Sequence, residues 1–365
     1  SGTVNTDSAT FAFSSDAGAN LECSLDGASF GSCTSPKDYS GLPDGSHTFA
    51  VRATDNAGNT SQTASRTWTV DAVAVLMAAG DIACGPAGKV TSQTCQQMAT
   101  SNLLVNEAPD AVAPLGDTQY ECGSLSEYRT YYGPSWGRVL AITHPTLGNH
   151  EYSTSTSPTD PCYNAPSGAS GYFQYFGNAA SPTEPGCTVN CKGYYSYDLG
   201  SWHIIVLNSN CGKIGGCSAT SPQGTWLKQD LAAHATKCTA AYWHYPRYSS
   251  GGAGTTFQSN TNSFWQLLYN AKVEAVINAS DHIYERFAPM NPNGGLDRAN
   301  GIREFIAGTG GKSHHGIVSV QPNSEVRNTD TFGALKMTLR PNGYDWKFVP
   351  IAGSTFTDSG SESCH

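Results

Sequence analysis

VEAVINASDHIYER, residues 273–286, is an apolar run that stops abruptly on polar atoms. Val273, Ala275, Val276 and Ile277 suit a buried strand, and Asn278, Ser280, Asp281 and His282 follow at once. A short apolar run without alternation fits a strand covered on both faces, as in a parallel sheet. In open α/β sheets, ligands bind beyond the carboxyl ends of the strands. The stretch therefore predicts a core strand that delivers His282 to such an edge.

The same punctuation recurs along the chain. VAVLMAAGD (73–81) ends on Asp81, AVAPLGD (111–117) on Asp117 and AAYWH (240–244) on His244. THPTLGNHE (143–151) places Asn149 and His150 after a turn, and HIIVLNS (203–209) carries Asn208 near its end, a candidate polar group at the edge of a site. Taken singly, these residues read as turn positions, helix caps or hydrogen-bonded core groups, and Glu151 as a helix cap. In order, at successive strand ends, they read as one site of oxygen and nitrogen donors without thiolates, which suits iron, zinc or manganese. Helical patterns lie between the runs at 92–108, 222–235 and 262–271, the second opening with Ser221 and Pro222 as cap and first helical residue. The stretches 153–170 and 248–262 read as loops, and 341–343 as a turn between two strands. Residues 72–365 thus read as an α/β domain.

Residues 1–71 read differently. Short apolar or alternating segments separated by Asp26-Gly27, Pro43-Asp44-Gly45 and Asn56-Ala57-Gly58-Asn59 predict a small all-β sandwich. CSLDG (23–27) and GLPDGSHTFAVRATDNAGN (41–59) resemble the Ig-like modules of secreted bacterial proteins. The resemblance implies attachment to a cell surface or polymer, or a spacer, with His47 an exposed turn residue.

Composition narrows the class. The chain has 365 residues, 13% charged and 38% hydrophobic, with a formal net charge of -9. An acidic protein lacks the basic surface that non-specific nucleic-acid binding needs, and no apolar run is long enough to span a bilayer. Twelve cysteines, several close in sequence (23/33, 84/95, 187/191, 211/217), predict disulfides and an oxidising compartment rather than a zinc site. For the remainder, 122–162 and 238–364 are the pairings expected from proximity and leftover count. No signal peptide is visible, which fits the mature part of a secreted protein.

From Met77 to Gly311 the sequence resembles the metallophosphoesterase superfamily, in its purple acid phosphatase branch. The blocks stand in order: GD (80–81), GDTQY (116–120), GNHE (148–151), HYP (244–246) and DHIYER (281–286). The tyrosine three residues after the second aspartate marks the branch. The resemblance implies a four-layer α/β-β/α sandwich around two metal ions. Asp117 would bridge them. Asp81, Tyr120 and His282 would complete an iron site, and Asn149 and His244 would hold a second ion, zinc, manganese or iron. Attack of a metal-bound hydroxide on phosphorus is implied, with His150 contacting the phosphate and protonating the leaving group.

Two positions depart from that pattern. The family frame Gly-His-x-His-x-Tyr-Glu-Arg reads Ala279-Ser280-Asp281-His282-Ile283-Tyr284-Glu285-Arg286, so Ser280 stands where a second-metal imidazole is usual. The second ion is then expected to bind weakly, to use a water or to recruit another group. Asp281 would face the other side of a continuing strand. His314 and His315, in a later loop, are candidates for a substitute ligand or substrate contact beside the simpler reading of an exposed pair. Tyr245 stands where bacterial relatives often carry a further histidine. Tyr284-Glu285-Arg286 reads as structural support, and His144, His203 and His234 as packing or surface groups. Aromatics near Tyr120, Tyr248 and Phe287 read first as core. The expectation is a secreted metal-dependent phosphatase acting on small phosphate monoesters. The alternatives are a phosphodiesterase or phospholipase-type activity at the same site, or a weakly active or inactive metal- or phosphate-binding surface protein, favoured by Ser280.

Overall fold

The structure is a computed structural model that describes residues 2–4, 6–43, 45–70, 73–235, 238–252 and 261–365. The expected domain break at 71–72, and residues 253–260 of the expected loop 248–262, lie outside them. Backbone contacts divide the chain into two compact units, one built mainly from Ser1–Ala74 and the other from most of 75–365.

The first unit is all-β. Its strands are β1 (Thr3–Val4), β2 (Ala9–Phe11), β3 (Asn20–Leu25), β4 (Gly31–Ser32), β5 (Lys37–Tyr39), β6 (Gly45–Thr54) and β7 (Ala64–Val70). They form a sheet of order β1-β7-β6-β3-β4 and a pair β2-β5. Cys23, Leu42, Phe49, Trp68 and Val70 make the buried core, with Phe11 stacked on Phe49 at 4.3 Å. His47 is not the exposed turn residue expected from its sequence neighbours. It lies within β6 at 5% exposure. Its Nδ1 donates to Asp26 Oδ2 at 2.7 Å and its Nε2 to the Pro43 carbonyl at 2.8 Å. The Pro43 carbonyl and then the Asp26 carboxylate raise its pKa. The Asp26-Gly27 turn supplies that carboxylate, so the turn signal itself buried the histidine.

The second unit carries two mixed sheets. Its strands are β8 (Ala74–Ala79), β9 (Ala111–Pro114), β10 (Tyr195–Leu199), β11 (Trp202–Val206), β12 (Thr239–Tyr242), β13 (Ala275–Asn278), β14 (Tyr284–Phe287), β15 (Arg303–Ala307), β16 (Ser324–Asn328), β17 (Gly333–Arg340), β18 (Gly343–Pro350) and β19 (Ser359–Ser363). The sheet orders are β10-β11-β12-β13-β15-β14-β16 and β19-β18-β17-β8-β9. β11, β12, β13 and β15 run parallel, as do β8 and β9. The parallel strands are buried along nearly their whole length, as their unbroken apolar runs require.

Strand alternation gives each sheet two apolar faces. Trp202, Tyr284 and Phe305 of one sheet meet Tyr344, Phe348 and Trp346 of the other at ring distances of 5.6, 4.6 and 5.6 Å. On the far side of β8 and β9, Met77, Ala79 and Val112 pack with Leu104, Tyr128, Trp136 and Phe173. On the far side of β11 to β15, Ile205, Ala241, Val276 and Ile306 pack with Leu227, Leu231, Phe264 and Leu268 from helices Pro222–Ala233 and Asn262–Asn270. Tyr248 and Phe287 belong to this core.

Local signals explain the helix limits. Ser221 Oγ accepts the Gly224 N–H at 3.1 Å with Pro222 at the first helical position. The helix expected over 92–108 spans Gln97–Glu107. The Cys84–Cys95 bridge and the left-handed Cys95 (φ 59°) hold the preceding residues in turns. The other bridges are 23–33, 122–162, 187–191, 211–217 and 238–364, and no cysteine is free. No helix among the described residues is long and apolar enough to cross a membrane.

Candidate metal centre

The centre grows from the carboxyl ends of the strands. β8 runs out into Gly80-Asp81, β9 into Leu115-Gly116-Asp117, β12 into Trp243-His244, and β13 into the turn that carries His282. Thr146 pairs with Leu115 in a parallel bridge and leads to Gly148-Asn149. The turns are tight. Asp81 (φ 58°), Asp117 (φ 47°) and Ser280 (φ 70°) all adopt left-handed backbone, which costs a non-glycine residue about 1–3 kcal/mol and collects at functional sites. Gly148 has no room for a side chain: a Cβ there would stand 2.1 Å from Asp117 Oδ1.

Two groups of donors meet at Asp117. On one side, Tyr120 Oη lies 2.7 Å from Asp81 Oδ1, 3.1 Å from Asp117 Oδ2 and 3.0 Å from His282 Nε2, and His282 Nε2 lies 3.2 Å from Asp81 Oδ1. On the other side, His244 Nε2 lies 3.4 Å from Asp117 Oδ2 and 3.3 Å from Asn149 Oδ1. His244 Nδ1 donates to the Leu115 carbonyl at 2.9 Å, which fixes the tautomer with Nε2 turned inward. His150 stands at the rim with its side chain 27% exposed and Nε2 3.9 Å from Asp117 Oδ2. Its Nδ1 donates to the Glu121 carbonyl at 2.6 Å.

This donor set fits a cation. Asp81, Asp117, Tyr120, His244 and His282 are all buried, and among the described residues only histidines are ion-paired with the two aspartates. Asp81, Asp117 and His244 offer ligand atoms within 4.8 Å of one another. Burial raises the Asp117 pKa, but the His244 and His150 imidazoles outweigh it and hold the carboxyl below its usual range. Asp81 is lowered in the same way, burial being outweighed chiefly by His282. Burial, then Asp117 and Asp81, push the Tyr120 phenol well up. A phenolate at this position therefore needs a positive ion beside it, and carboxylate, phenol and imidazole are the donors that hard or borderline ions take.

The remaining candidates are placed as follows. Ser280 sits beside Asp81 and donates its backbone N–H to Asp81 Oδ2 at 2.9 Å. Asp281 turns away, its Oδ2 accepting the Ser249 hydroxyl. Tyr245 is buried against the His244 ring at 5.1 Å, close enough for Asp117, Glu151 and Asp81 to add to the burial that raises its pKa. Asn208 is fully buried and structural in its bonding. It contacts Tyr152 Oη, and its Oδ1 accepts from Asn210, whose amide reaches the Leu147 and Gly148 carbonyls. His314 and His315 are not an exposed pair. His314 packs on Phe332 at 3.9 Å with its pKa lowered by burial, and only His315, 45% exposed, faces outward, stacked on His282 at 3.8 Å. His203 is buried between Asp198 and Asp230. Arg286 pairs with Asp358 and Glu325.

One residue that the sequence suggested only as a helix cap organises the centre. Glu151, 1% exposed, accepts the Asp117 N–H at 3.0 Å, the Thr118 N–H at 2.7 Å, the Gly148 N–H at 2.7 Å, the Thr118 hydroxyl at 2.8 Å and the Tyr128 hydroxyl at 3.0 Å. It ties the two loops that carry Asp117 and Asn149. Its place directly after His150 was the signal, but that signal does not reveal burial. Lys312, whose ammonium stands 4.5 Å from the Tyr120 ring centre and pairs with Glu121, had no sequence signal at all.

No family model matches the chain. Purple acid phosphatase 13 of Arabidopsis thaliana is 31% identical over 188 residues, 46% of this chain and 31% of that protein. The probable inactive purple acid phosphatase 9 of the same plant is 26% identical over 246 residues, 61% of this chain and 37% of that protein. The chain spans less than half the length of the curated relatives it matches. Among solved structures, the purple acid phosphatase PPD1 from yellow lupin (Lupinus luteus) seeds superposes with a TM-score of 0.66 at 17% identity, covering 98% of this chain and 72% of that one. That identity speaks for the fold alone, an α/β fold shared with the lupin protein. Sequence and fold similarity thus point the same way.

Proposed function

We propose that the chain is a metallophosphoesterase of the purple acid phosphatase type, with the four-layer sandwich of that family, and that it hydrolyses phosphate monoesters. The observation that carries the reading is the meeting of Asp81, Tyr120 and His282 with His244 and Asn149 around the shared carboxylate of Asp117. Asp81, Asp117, Tyr120 and His282 would hold one ion, iron by preference because a phenolate is a hard anionic donor. Asp117, Asn149 and His244 would hold the second, zinc, manganese or iron. Bound cations would supply Lewis acidity toward the phosphoryl oxygens and the attacking water.

The protein's own part is positioning and proton handling. His150 has one nitrogen occupied by the Glu121 carbonyl and the other turned toward Asp117, so a proton on Nε2 would be delivered to a leaving oxygen there. Buried carboxylates and fixed imidazoles cost no reorganisation during reaction. The Ig-like resemblance of residues 1–71 fits a spacer or surface-attachment module. Six bridges suit an oxidising, extracellular compartment.

A second reading is favoured by Ser280. With no imidazole at that position, the Asn149–His244 side offers fewer donors than the Tyr120 side, so the chain would be a depleted, weakly active relative that binds phosphate more than it turns it over. Hydrolysis of p-nitrophenyl phosphate and bis(p-nitrophenyl) phosphate, before and after metal removal and restoration, separates the readings. The proposal expects monoester turnover that vanishes with the metal and returns with it. Equal or greater diester turnover would shift the substrate class, and no turnover at full metal loading would establish the depleted relative.

A further inference from the structure

The segment Gly310–His315 contains none of the motif residues, yet it touches the loops of the centre at several points. The Gly310 N–H donates to the Gly80 carbonyl at 2.8 Å and the Lys312 N–H to the Asp81 carbonyl at 2.9 Å. Ser313 Oγ stands 3.0 Å from His282 Nδ1. The His315 ring lies parallel to the His282 ring, 3.8 Å away with a 9° interplanar angle. The His282 N–H donates to His315 Nδ1 at 3.3 Å, and the His315 N–H donates back to the His282 carbonyl at 3.1 Å.

An imidazole offers a lone pair at one nitrogen only when its proton is kept on the other, and the partner of that second nitrogen sets which is which. His282 Nε2 points into the cluster of Asp81 Oδ1 and Tyr120 Oη, and for it to give its lone pair to a cation held there the proton must sit on Nδ1, where Ser313 Oγ is placed to accept it. His244 solves the same problem with a backbone carbonyl, Leu115, which no substitution removes. His282 relies on a side chain, 31 residues away in sequence. The stacked His315 ring closes one face and leaves His282 little room to turn.

We propose that Ser313 is a positioning residue for His282: its hydroxyl accepts the Nδ1 proton and keeps Nε2 aimed at the cation that Asp81, Asp117 and Tyr120 would hold. The inference rests on reading His282 as a ligand, and it extends that reading to a loop that no motif marks. The hydroxyl sets how firmly this position is filled.

The test uses the full chain stripped of metal and titrated with Zn2+ alone against a chromophoric chelator, in the wild type and in Ser313→Ala, Ser313→Thr and His282→Ala, each checked for a cooperative thermal transition. Ser313→Ala is expected to weaken the tightest Zn2+ step by roughly ten- to a hundredfold, the range seen when the outer partner of a ligating histidine is removed. Ser313→Thr, which keeps the hydroxyl, retains wild-type affinity, and His282→Ala loses more than Ser313→Ala. In the zinc-loaded protein the His282 Nδ1 proton exchanges slowly in the wild type and in Ser313→Thr and rapidly in Ser313→Ala. Wild-type affinity in Ser313→Ala beside a weakened His282→Ala overturns the role of Ser313 and leaves His282 a ligand. Equal losses in Ser313→Ala and Ser313→Thr overturn it too, because the loss would not follow the hydroxyl. Wild-type affinity in His282→Ala overturns the ligand reading and this inference with it.

Discussion

Glu151 Oε2 accepts the backbone N–H of Asp117 at 3.0 Å, so the shared carboxylate of the centre is held from behind by a second, buried carboxylate. The same side chain takes four further donors, from Thr118, Gly148 and Tyr128. Glu151→Ala would leave several buried N–H and O–H groups without an acceptor, at about 1–3 kcal/mol for each group left unsatisfied. The expected outcome is a loss of about 3 kcal/mol or more in urea unfolding, together with fewer metal ions retained per chain by elemental analysis. Unchanged stability and metal content would remove Glu151 from this role.

Gly148→Ala forces a methyl group to within 2.1 Å of Asp117 Oδ1 and 2.4 Å of the Asp117 nitrogen. Neither atom is the end of a flexible side chain free to yield, because Glu151 holds the Asp117 nitrogen and the His150 N–H holds Oδ1. The expected result is a destabilisation of about 1–3 kcal/mol, as for other overpacked sites, with most of the metal lost. The control is Gly212→Ala, at a position where a Cβ meets nothing within 4 Å, and it should leave both quantities unchanged.

Ser280→His tests the asymmetry between the two sides of Asp117. The backbone there is left-handed at φ 70°, a region that histidine enters more readily than most side chains. Occupancy of the second position, read as metal ions per chain, is expected to rise, and turnover of p-nitrophenyl phosphate with it. An unmodified protein that already holds two ions per chain and gains nothing from the substitution would contradict the asymmetry.

Glu304 predicts a pH dependence of stability away from the centre. It is fully buried and accepts the N–H groups of Arg247 and Tyr248. Burial raises its pKa from 4.5 to about 8, with Glu285 adding to the rise and the two N–H groups and the Arg247 charge opposing it. The folded state therefore binds a proton that the unfolded chain releases near pH 4.5. Its contribution is fully present below that value and is lost as pH rises toward about 8. Urea unfolding between about pH 5 and about pH 8 should show stability falling by a few kcal/mol, and Glu304→Gln should flatten the fall. An equally steep fall in the variant would assign it to another group.

The fold was legible wherever a local pattern carried it. β8, β9, β12 and β13 announce themselves as unbroken apolar runs, and Asp81, Asp117 and His244 follow those runs directly, so chain position alone places them at strand ends. The six bridges followed from spacing and leftover count. What the sequence hid were contacts made by distant residues. His47 looked exposed because its neighbours are turn formers, but Asp26, the Pro43 carbonyl and the Trp68 ring enclose it. His314 and His315 are adjacent in sequence but go opposite ways, one under Phe332 and one onto His282. Ser313 reaches His282 across a loop with no periodicity, and Glu151 gives no sign of burial until the loops on either side of it close.

The proposed centre requires that Asp81, Asp117, Tyr120, Asn149, His244 and His282 hold ions. Anomalous scattering from a crystal of the purified protein, collected on either side of the iron, zinc and manganese edges, measures this directly. A strong peak bonded to Asp81, Asp117, Tyr120 and His282 is expected, with a second peak of lower occupancy bonded to Asp117, Asn149 and His244. A map with no anomalous peak at Asp117 after metal loading, or with its peaks bonded to other residues, would contradict it.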